Sequence, residues 1–215
     1  MELNKYIEHT LLKQDAKKND IIKLLDEAIE YDFLGVCVNP VNVKFAKDYL
    51  KDSEIKVVTV IGFPLGQSTT ETKVLETIDA IKNGADEIDM VLNSGKLKDL
   101  EFDYIINEIS QIKKACQGMV LKVILETDLL SNEEIKTACE LCVKSGADFV
   151  KTSTGFVKDG IGAKIEDVKL MYNTVRDFGL GVKASGGVRD KETALKMIEA
   201  GATRIGTSSG IKICG

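Results

Sequence analysis

Four ionisable residues sit inside short apolar runs where a hydrophobic residue is expected. Asp89 lies in Glu87-Ile-Asp-Met-Val91, Lys122 in Leu121-Lys-Val-Ile-Leu125, Lys151 in Phe149-Val-Lys-Thr152 and Lys183 in Gly181-Val-Lys-Ala184. A single lysine in such a run is readily explained as a strand-end side chain snorkelling to water. Four on four successive runs suggest a shared interior, where close ammonium groups would perturb one another. With two ammonium groups about 5 Å apart and an effective dielectric of about 20, repulsion is about 3 kcal/mol, or over 2 pKa units. Burial adds to the fall. A lysine starting near 10.4 can then become largely neutral near pH 7, the form that attacks a carbonyl to give a Schiff base. Asp89 offsets part of the positive charge and can carry protons.

The remaining composition narrows the alternatives. His9 is the only histidine, so a zinc site of two or three histidines is excluded, and lysine, carboxylate, cysteine and backbone must carry the chemistry. The net charge of −5 gives no general attraction for nucleic acid or an anionic membrane. An anionic ligand would need a local site working against that field. Five cysteines, an odd number scattered through the chain, suggest reduced thiols rather than a disulfide framework. The opening Met1–His9 segment has no apolar h-region, and no run approaches the length of a membrane span. The expectation is a cytoplasmic protein without membrane or nucleic-acid partners.

The lysines and Asp89 must be positioned by the runs that carry them. Val- and Ile-rich segments at Gly35–Val38, Val57–Ile61, Glu87–Val91, Leu121–Leu125, Phe149–Thr152, Gly181–Ala184 and Thr203–Gly206 read as strands, with Tyr6–Thr10 a weaker eighth. Between them lie helical periods: Ile21, Leu24, Leu25, Ala28 and Ile29; Val74, Ile78 and Ile81; Val168, Met171, Tyr172 and Val175. Ser68 with Glu71, and Ser131 with Glu134, have capping-box spacing. Cys139 and Cys142 form a CxxC, but with Ile135 they fall on one helical face and read as packing. Residues 96–103 read as a solvated loop, and His9 as a structural residue near the barrel floor.

A weak repeat recurs before three strands: Asn83-Gly84-Ala85-Asp86, Ser145-Gly146-Ala147-Asp148 and Ala200-Gly201-Ala202-Thr203. Each glycine stands where a helix must end in a left-handed turn. Alternating strands and helices imply a parallel sheet with both faces covered. Eight units in 215 residues predict one domain, residues 1–215, folded as a (β/α)₈ TIM barrel. The rival, an open doubly wound sheet, would normally carry a glycine-rich turn after its first strand.

The C-terminal ends of barrel strands carry the chemistry. Thr154-Gly155, Ser185-Gly186-Gly187 and Gly206-Thr-Ser208-Ser209 would share that rim. Glycine lets backbone N–H groups approach an anion, and Ser208-Ser209 can open a short terminal helix facing it. The loops after the last two strands are a frequent phosphate site in barrels.

Together these segments resemble the 2-deoxyribose-5-phosphate aldolase family. The resemblance runs from end to end through Glu8-His-Thr-Leu-Leu12, Val36-Cys-Val-Asn-Pro40, Val60-Ile-Gly-Phe-Pro64, Gly84-Ala-Asp-Glu-Ile-Asp-Met-Val91, Leu121-Lys-Val-Ile-Leu-Glu-Thr127, Gly146-Ala-Asp-Phe-Val-Lys-Thr-Ser-Thr-Gly155, Val182-Lys-Ala-Ser-Gly-Gly-Val-Arg189 and Arg204-Ile-Gly-Thr-Ser-Ser209. It implies reversible cleavage of 2-deoxy-D-ribose 5-phosphate to D-glyceraldehyde 3-phosphate and acetaldehyde. Lys151 then matches the Schiff-base lysine, Lys183 the lysine that depresses its pKa, and Asp89 the acid/base residue acting through a water. Cys37 and Lys122 match pocket-lining residues; Gly155, Gly186, Gly187, Ser208 and Ser209 match the phosphate grip, with Thr154 beside it. The protonated imine serves as electron sink, so neither a metal nor an organic cofactor is expected. A homo-oligomer, dimer or tetramer, is expected.

The chain departs from that pattern at Glu8, where aspartate is common, and at Ser185, where a small or apolar residue is typical. Some members carry a longer tail with a tyrosine that assists proton transfer; here Asp89, Lys183 and water would have to suffice. Two alternatives remain open: a Schiff-base aldolase or transaldolase acting on a larger sugar phosphate, and a phosphosugar-binding barrel without turnover.

Overall fold

The computed structural model describes residues 2–215. Eight parallel strands close into a barrel in chain order, with β8 pairing back onto β1. They are β1 (Ile7–Leu11), β2 (Gly35–Val38), β3 (Lys56–Ile61), β4 (Glu87–Val91), β5 (Val120–Ile124), β6 (Phe149–Lys151), β7 (Gly181–Ser185) and β8 (Arg204–Thr207). Closure excludes the open-sheet rival. Each sequence-read strand is present with its ends within a residue, including the weak first one. The runs are continuously rich in Val and Ile because both faces are buried: the outward residues pack under the helices, and the inward ones fill the barrel.

The helices are α1 (Lys18–Glu30), α2 (Val43–Tyr49), α3 (Thr70–Lys82), α4 (Ser94–Lys98), α5 (Phe102–Ala115), α6 (Asn132–Lys144), α7 (Ile165–Val175), α8 (Lys191–Glu199) and α9 (Gly210–Cys214). Ser131 and Glu134 form the expected capping box at α6. Ile135, Cys139 and Cys142 are buried together on that helix, as its period required.

The repeat has a structural meaning. Gly84, Gly146 and Gly201 all take positive φ where a helix turns back into a strand. The aspartate two residues later ties the barrel's lower edge: Asp86 accepts the Val57 N–H at 2.8 Å and the Lys47 ammonium at 2.7 Å. Asp148 accepts the Leu121 N–H at 2.7 Å and the Lys113 ammonium at 2.5 Å. Thr203 fills the third position without that pairing, which is why the repeat fades there.

Several local readings are corrected. α3 is capped by Thr69, whose hydroxyl accepts the Thr72 N–H, rather than by Ser68. Its buried face is Thr70, Lys73, Thr77 and Ala80, while Ile78 stays 43 % exposed. Val74 and Ile81 do pack against the core, but the apolar period missed the centre of the buried face because the helix buries a lysine paired with Glu108 of α5. Residues 96–103 are largely exposed, as read, but only 99–101 are a turn; 96–98 end α4 and 102–103 open α5, with the Asn93 side chain accepting the Lys96 N–H. His9 is buried on the outer face of β1, bonded to Glu27 of α1 at 2.7 Å and packed on Phe33, so it is not at the barrel floor.

Candidate active site

Strand register gathers the interior charges. Inward positions recur every second residue, so Asp89 of β4 lies beside Lys122 of β5, and Lys151 of β6 beside Lys183 of β7. Gly206 of β8 makes room for the last of these: a Cβ there would lie 2.9 Å from the Lys183 Cε. All four side chains are buried, together with Glu8 from β1.

Asp89 is the hub. Its Oδ2 accepts from Lys151 Nζ at 2.7 Å and Lys183 Nζ at 2.6 Å, and its Oδ1 from Lys122 Nζ at 3.0 Å. Lys183 has a second anion, since its ammonium also donates to Glu8. Lys122 has Glu87 at 2.5 Å and Glu8 at 3.5 Å. Arg204, at the lower end of β8, lies 3.4 Å from Glu8. Three ammonium groups are therefore interleaved with three carboxylates, and Lys151 is the one ammonium that has Asp89 as its only carboxylate partner.

That inequality separates the lysines electrostatically. Burial pulls Lys151 below the ordinary lysine range; Asp89 opposes this and the Lys183 charge adds to it. Burial acts on Lys183 in the same direction, but Asp89 and Glu8 outweigh it and hold that ammonium above the ordinary range. Burial also disfavours charge on Asp89, yet Lys122, Lys151 and Lys183 together keep its carboxyl well below the usual carboxylate range. The order of causes differs from the sequence argument. Repulsion between the two lysines was placed first there; in the barrel burial comes first, because carboxylates lie between the ammonium groups.

Above the cluster opens a cavity of 390 Å³. Lys151 lines it with Ser153, Thr154, Gly155, Gly186, Gly187 and Ser208, and Lys13 and Arg189 stand on its wall. No carboxylate lines it among the described residues. In a chain of net charge −5 this is the local cationic surface that an anionic ligand needs. Gly155, Gly186 and Gly187 take φ of 80°, 79° and 76°. The N–H groups of these three and of Ser208 make no hydrogen bond within the described residues. Ser209 differs: its N–H is taken by the Thr207 hydroxyl at 2.9 Å.

Cys37 and Lys122, expected to line the pocket, have no exposed surface and lie beneath it, as Asp89 and Lys183 do. Burial pushes the Cys37 thiol up to about 11, so it is a small apolar group packed with Leu12, Val58 and Val60 rather than a nucleophile. The sequence argument had left Glu8 without a settled role and passed over Glu87 and Arg204. The signal was present for Glu87, two residues before Asp89 on the same strand face. Lys13, Ser153, Phe156 and Arg189 were also missed. They lie in loops, where no periodicity points inward.

Comparison with known proteins agrees with the barrel fold. The model of the DeoC/LacD family aldolases matches residues 4–215. The chain belongs to that family. Among members it is 59 % identical over 213 residues to the deoxyribose-phosphate aldolase of Finegoldia magna, covering 99 % of both chains. It is 58 % identical to deoxyribose-phosphate aldolase 1 of Staphylococcus aureus strain MRSA252, covering 99 % of this chain and 96 % of the other. The tetrameric deoxyribose phosphate aldolase of Aeropyrum pernix superposes with a TM-score of 0.91 at 34 % identity, over 99 % of this chain and 89 % of that one. Of the three interior lysines, Lys151 is the one that reaches the cavity.

Proposed function

We propose that this aldolase reversibly cleaves 2-deoxy-D-ribose 5-phosphate to D-glyceraldehyde 3-phosphate and acetaldehyde through a Schiff base on Lys151. The observation that carries this reading is the division of labour among the interior lysines. Lys122 and Lys183 are paired below the cavity, and Lys151, with its proton affinity lowered, faces a cavity free of carboxylates.

The neutral Lys151 amine adds to the C1 aldehyde of the open-chain sugar, and loss of water leaves a protonated imine. A base takes the C3 hydroxyl proton. The C2–C3 bond breaks, its electron pair passing into the iminium to form an enamine, and the three-carbon aldehyde phosphate departs. Protonation of the enamine at C2 and addition of water release acetaldehyde and restore the amine. Asp89, anionic and 2.7 Å from the Lys151 amine, is suited to carrying protons in these steps. Lys183 stays charged and favours the free-base form of its neighbour. Lys13, Arg189 and the N–H groups of Gly155, Gly186, Gly187 and Ser208 suit the phosphate. Ser209, expected in the grip, does not line this cavity, and its N–H is already taken by the Thr207 hydroxyl.

The reading treats residues 1–215 as one barrel domain acting in the cytoplasm, and assembly as a homo-oligomer, dimer or tetramer, belongs to it; sizing by light scattering tests the last point. Among the described residues no helix is long and apolar enough to cross a membrane.

The decisive experiment incubates the protein with 2-deoxyribose 5-phosphate, reduces with borohydride and maps the adduct by mass spectrometry. The expected result is a reduced adduct on Lys151 that is lost in Lys151→Ala. No adduct on folded protein would overturn the Schiff-base mechanism. Release of acetaldehyde tests the substrate assignment separately.

A further inference from the structure

The loop after β5 carries Glu126-Thr127-Asp128, and two of its carboxylates reach across to the loop after β6. Glu126 adopts a left-handed backbone, φ 62°, uncommon for a residue with a side chain, and it is buried. Its Oε1 accepts the Thr154 N–H at 3.0 Å, and its Oε2 accepts the Thr154 hydroxyl. That hydroxyl in turn accepts the Phe156 N–H at 3.1 Å. Asp128 holds the far end of the same loop: its Oδ2 accepts the Gly162 N–H at 2.7 Å, and its Oδ1 lies 3.3 Å from the Lys164 ammonium.

Between these anchors the loop lies on the turn after β7. A Cβ at Gly162 would fall 2.5 Å from the Gly186 carbonyl carbon and oxygen, and one at Gly187 would fall 2.5 Å from the Ile161 oxygen. The Ala163 N–H donates to the Gly186 oxygen at 3.0 Å. Backbone meets backbone there with no side chain between, so the position of the β6 loop sets the position of Gly186 and Gly187. Gly155, between the two anchors, belongs to the same surface.

We propose that Glu126 and Asp128 are positioning residues for the phosphate end of the site. They fasten both ends of residues 154–162, hold that loop against Gly186-Gly187, and so aim the unpaired N–H groups of Gly155, Gly186 and Gly187 at one anion. Neither carboxylate lines the Lys151 cavity with Gly186 and Gly187, and Asp128 has Lys164 beside it, so they act through the loop rather than on substrate. The proposal rests on the phosphosugar reading above and names what makes that site selective for a phosphorylated substrate.

The test compares Asp128→Ala, Asp128→Asn and Glu126→Gln in the full chain, with kinetics on 2-deoxyribose 5-phosphate and on unphosphorylated 2-deoxyribose. Inorganic phosphate affinity is measured by ³¹P NMR titration. Asp128→Ala is expected to raise KM for the phosphorylated sugar about tenfold, to change kcat less than about threefold, and to leave kcat/KM on 2-deoxyribose within about twofold. Phosphate affinity falls by a similar factor. Asp128→Asn recovers most of the loss, because its amide oxygen still accepts the Gly162 N–H. Glu126→Gln gives the same split with a smaller loss. Should Asp128→Ala not fold, Gly162→Ala forces the loop off Gly186 and carries the same expectation. Equal losses on both sugars, or unchanged phosphate affinity in these variants, would overturn the proposal. Wild-type protein that binds phosphate but cleaves neither sugar would sink the catalytic reading alone, and the titrations would still decide the positioning role.

Discussion

Two buried lysines of this barrel have their proton affinity lowered, and only one of them opens onto a cavity. Lys73 lies between α3 and α5, wholly buried, with Glu108 Oε2 at 2.8 Å and the Val91 carbonyl at 3.0 Å. Lys151 lies inside the barrel with Asp89 Oδ2 at 2.7 Å. Burial is the leading cause of the lowered pKa in both. The difference is access. The stem of Lys73 is packed against Gly62, where a Cβ would fall 2.7 Å from its Cε, and its ammonium faces only protein acceptors. The Lys151 amine opens onto the 390 Å³ cavity. A perturbed lysine is therefore a candidate nucleophile only when a carbonyl carbon can reach it; otherwise the same electrostatics describe a structural ion pair.

The largest effects should fall on chemistry at one lysine and on folding at the other. Lys151→Ala should lower sugar-phosphate cleavage at least about a thousandfold and abolish borohydride trapping, with little change in the unfolding midpoint. Lys73→Met should leave trapping on Lys151 intact. A folded Lys73→Met protein that no longer traps would break the comparison.

Stability should report the converse. Lys73→Met strands the Glu108 carboxylate in a dry site and should cost about 3–5 kcal/mol in urea unfolding. The double variant Lys73→Met with Glu108→Leu should regain much of this, since an apolar pair of similar volume leaves no buried charge behind. Equal destabilisation of the single and double variants would argue that shape, not charge, governs that site.

A pH profile sharpens the contrast within the barrel. Trapping requires the free amine, so its rate should rise with pH through the lowered pKa of Lys151 and fall below it. Lys183→Met removes a neighbouring positive charge and leaves Asp89 with one ammonium fewer. Both changes raise the Lys151 pKa, so the acid limb should move to higher pH by about one unit or more, alongside a loss of activity of about a hundredfold. A limb that stays in place, or moves to lower pH, contradicts the electrostatic separation of the two lysines. Last and smallest, Cys37→Ala should change kcat/KM by less than about threefold, because the thiol acts as buried volume.

Much of this arrangement was legible in local pattern. The strand runs needed only Val and Ile bounded by glycine turns, and every second residue could be assigned to one face. Asp89, Lys122, Lys151 and Lys183 therefore stood out as charges on buried faces. What local pattern concealed was pairing between distant segments. The centre of the buried side of α3 was missed because Glu108, which makes Lys73 acceptable in the interior, is 35 residues away. The anchoring of Gly162 by Asp128 joins residues 34 apart and leaves no trace in periodicity. Glu8 and Lys183 are separated by 175 residues and meet only because β8 closes on β1.

The sequence by itself determined the alternation of strands and helices, the glycine turns, and the inward placing of Asp89, Lys122, Lys151 and Lys183, since each depends on conformational preferences within a few residues. Tertiary structure decided which lysine is held charged, which is left able to lose its proton, and which loop meets the glycines of the cavity rim. Coulomb energy and burial depend on distances of a few ångströms between residues from different strands, and barrel closure and register set those distances.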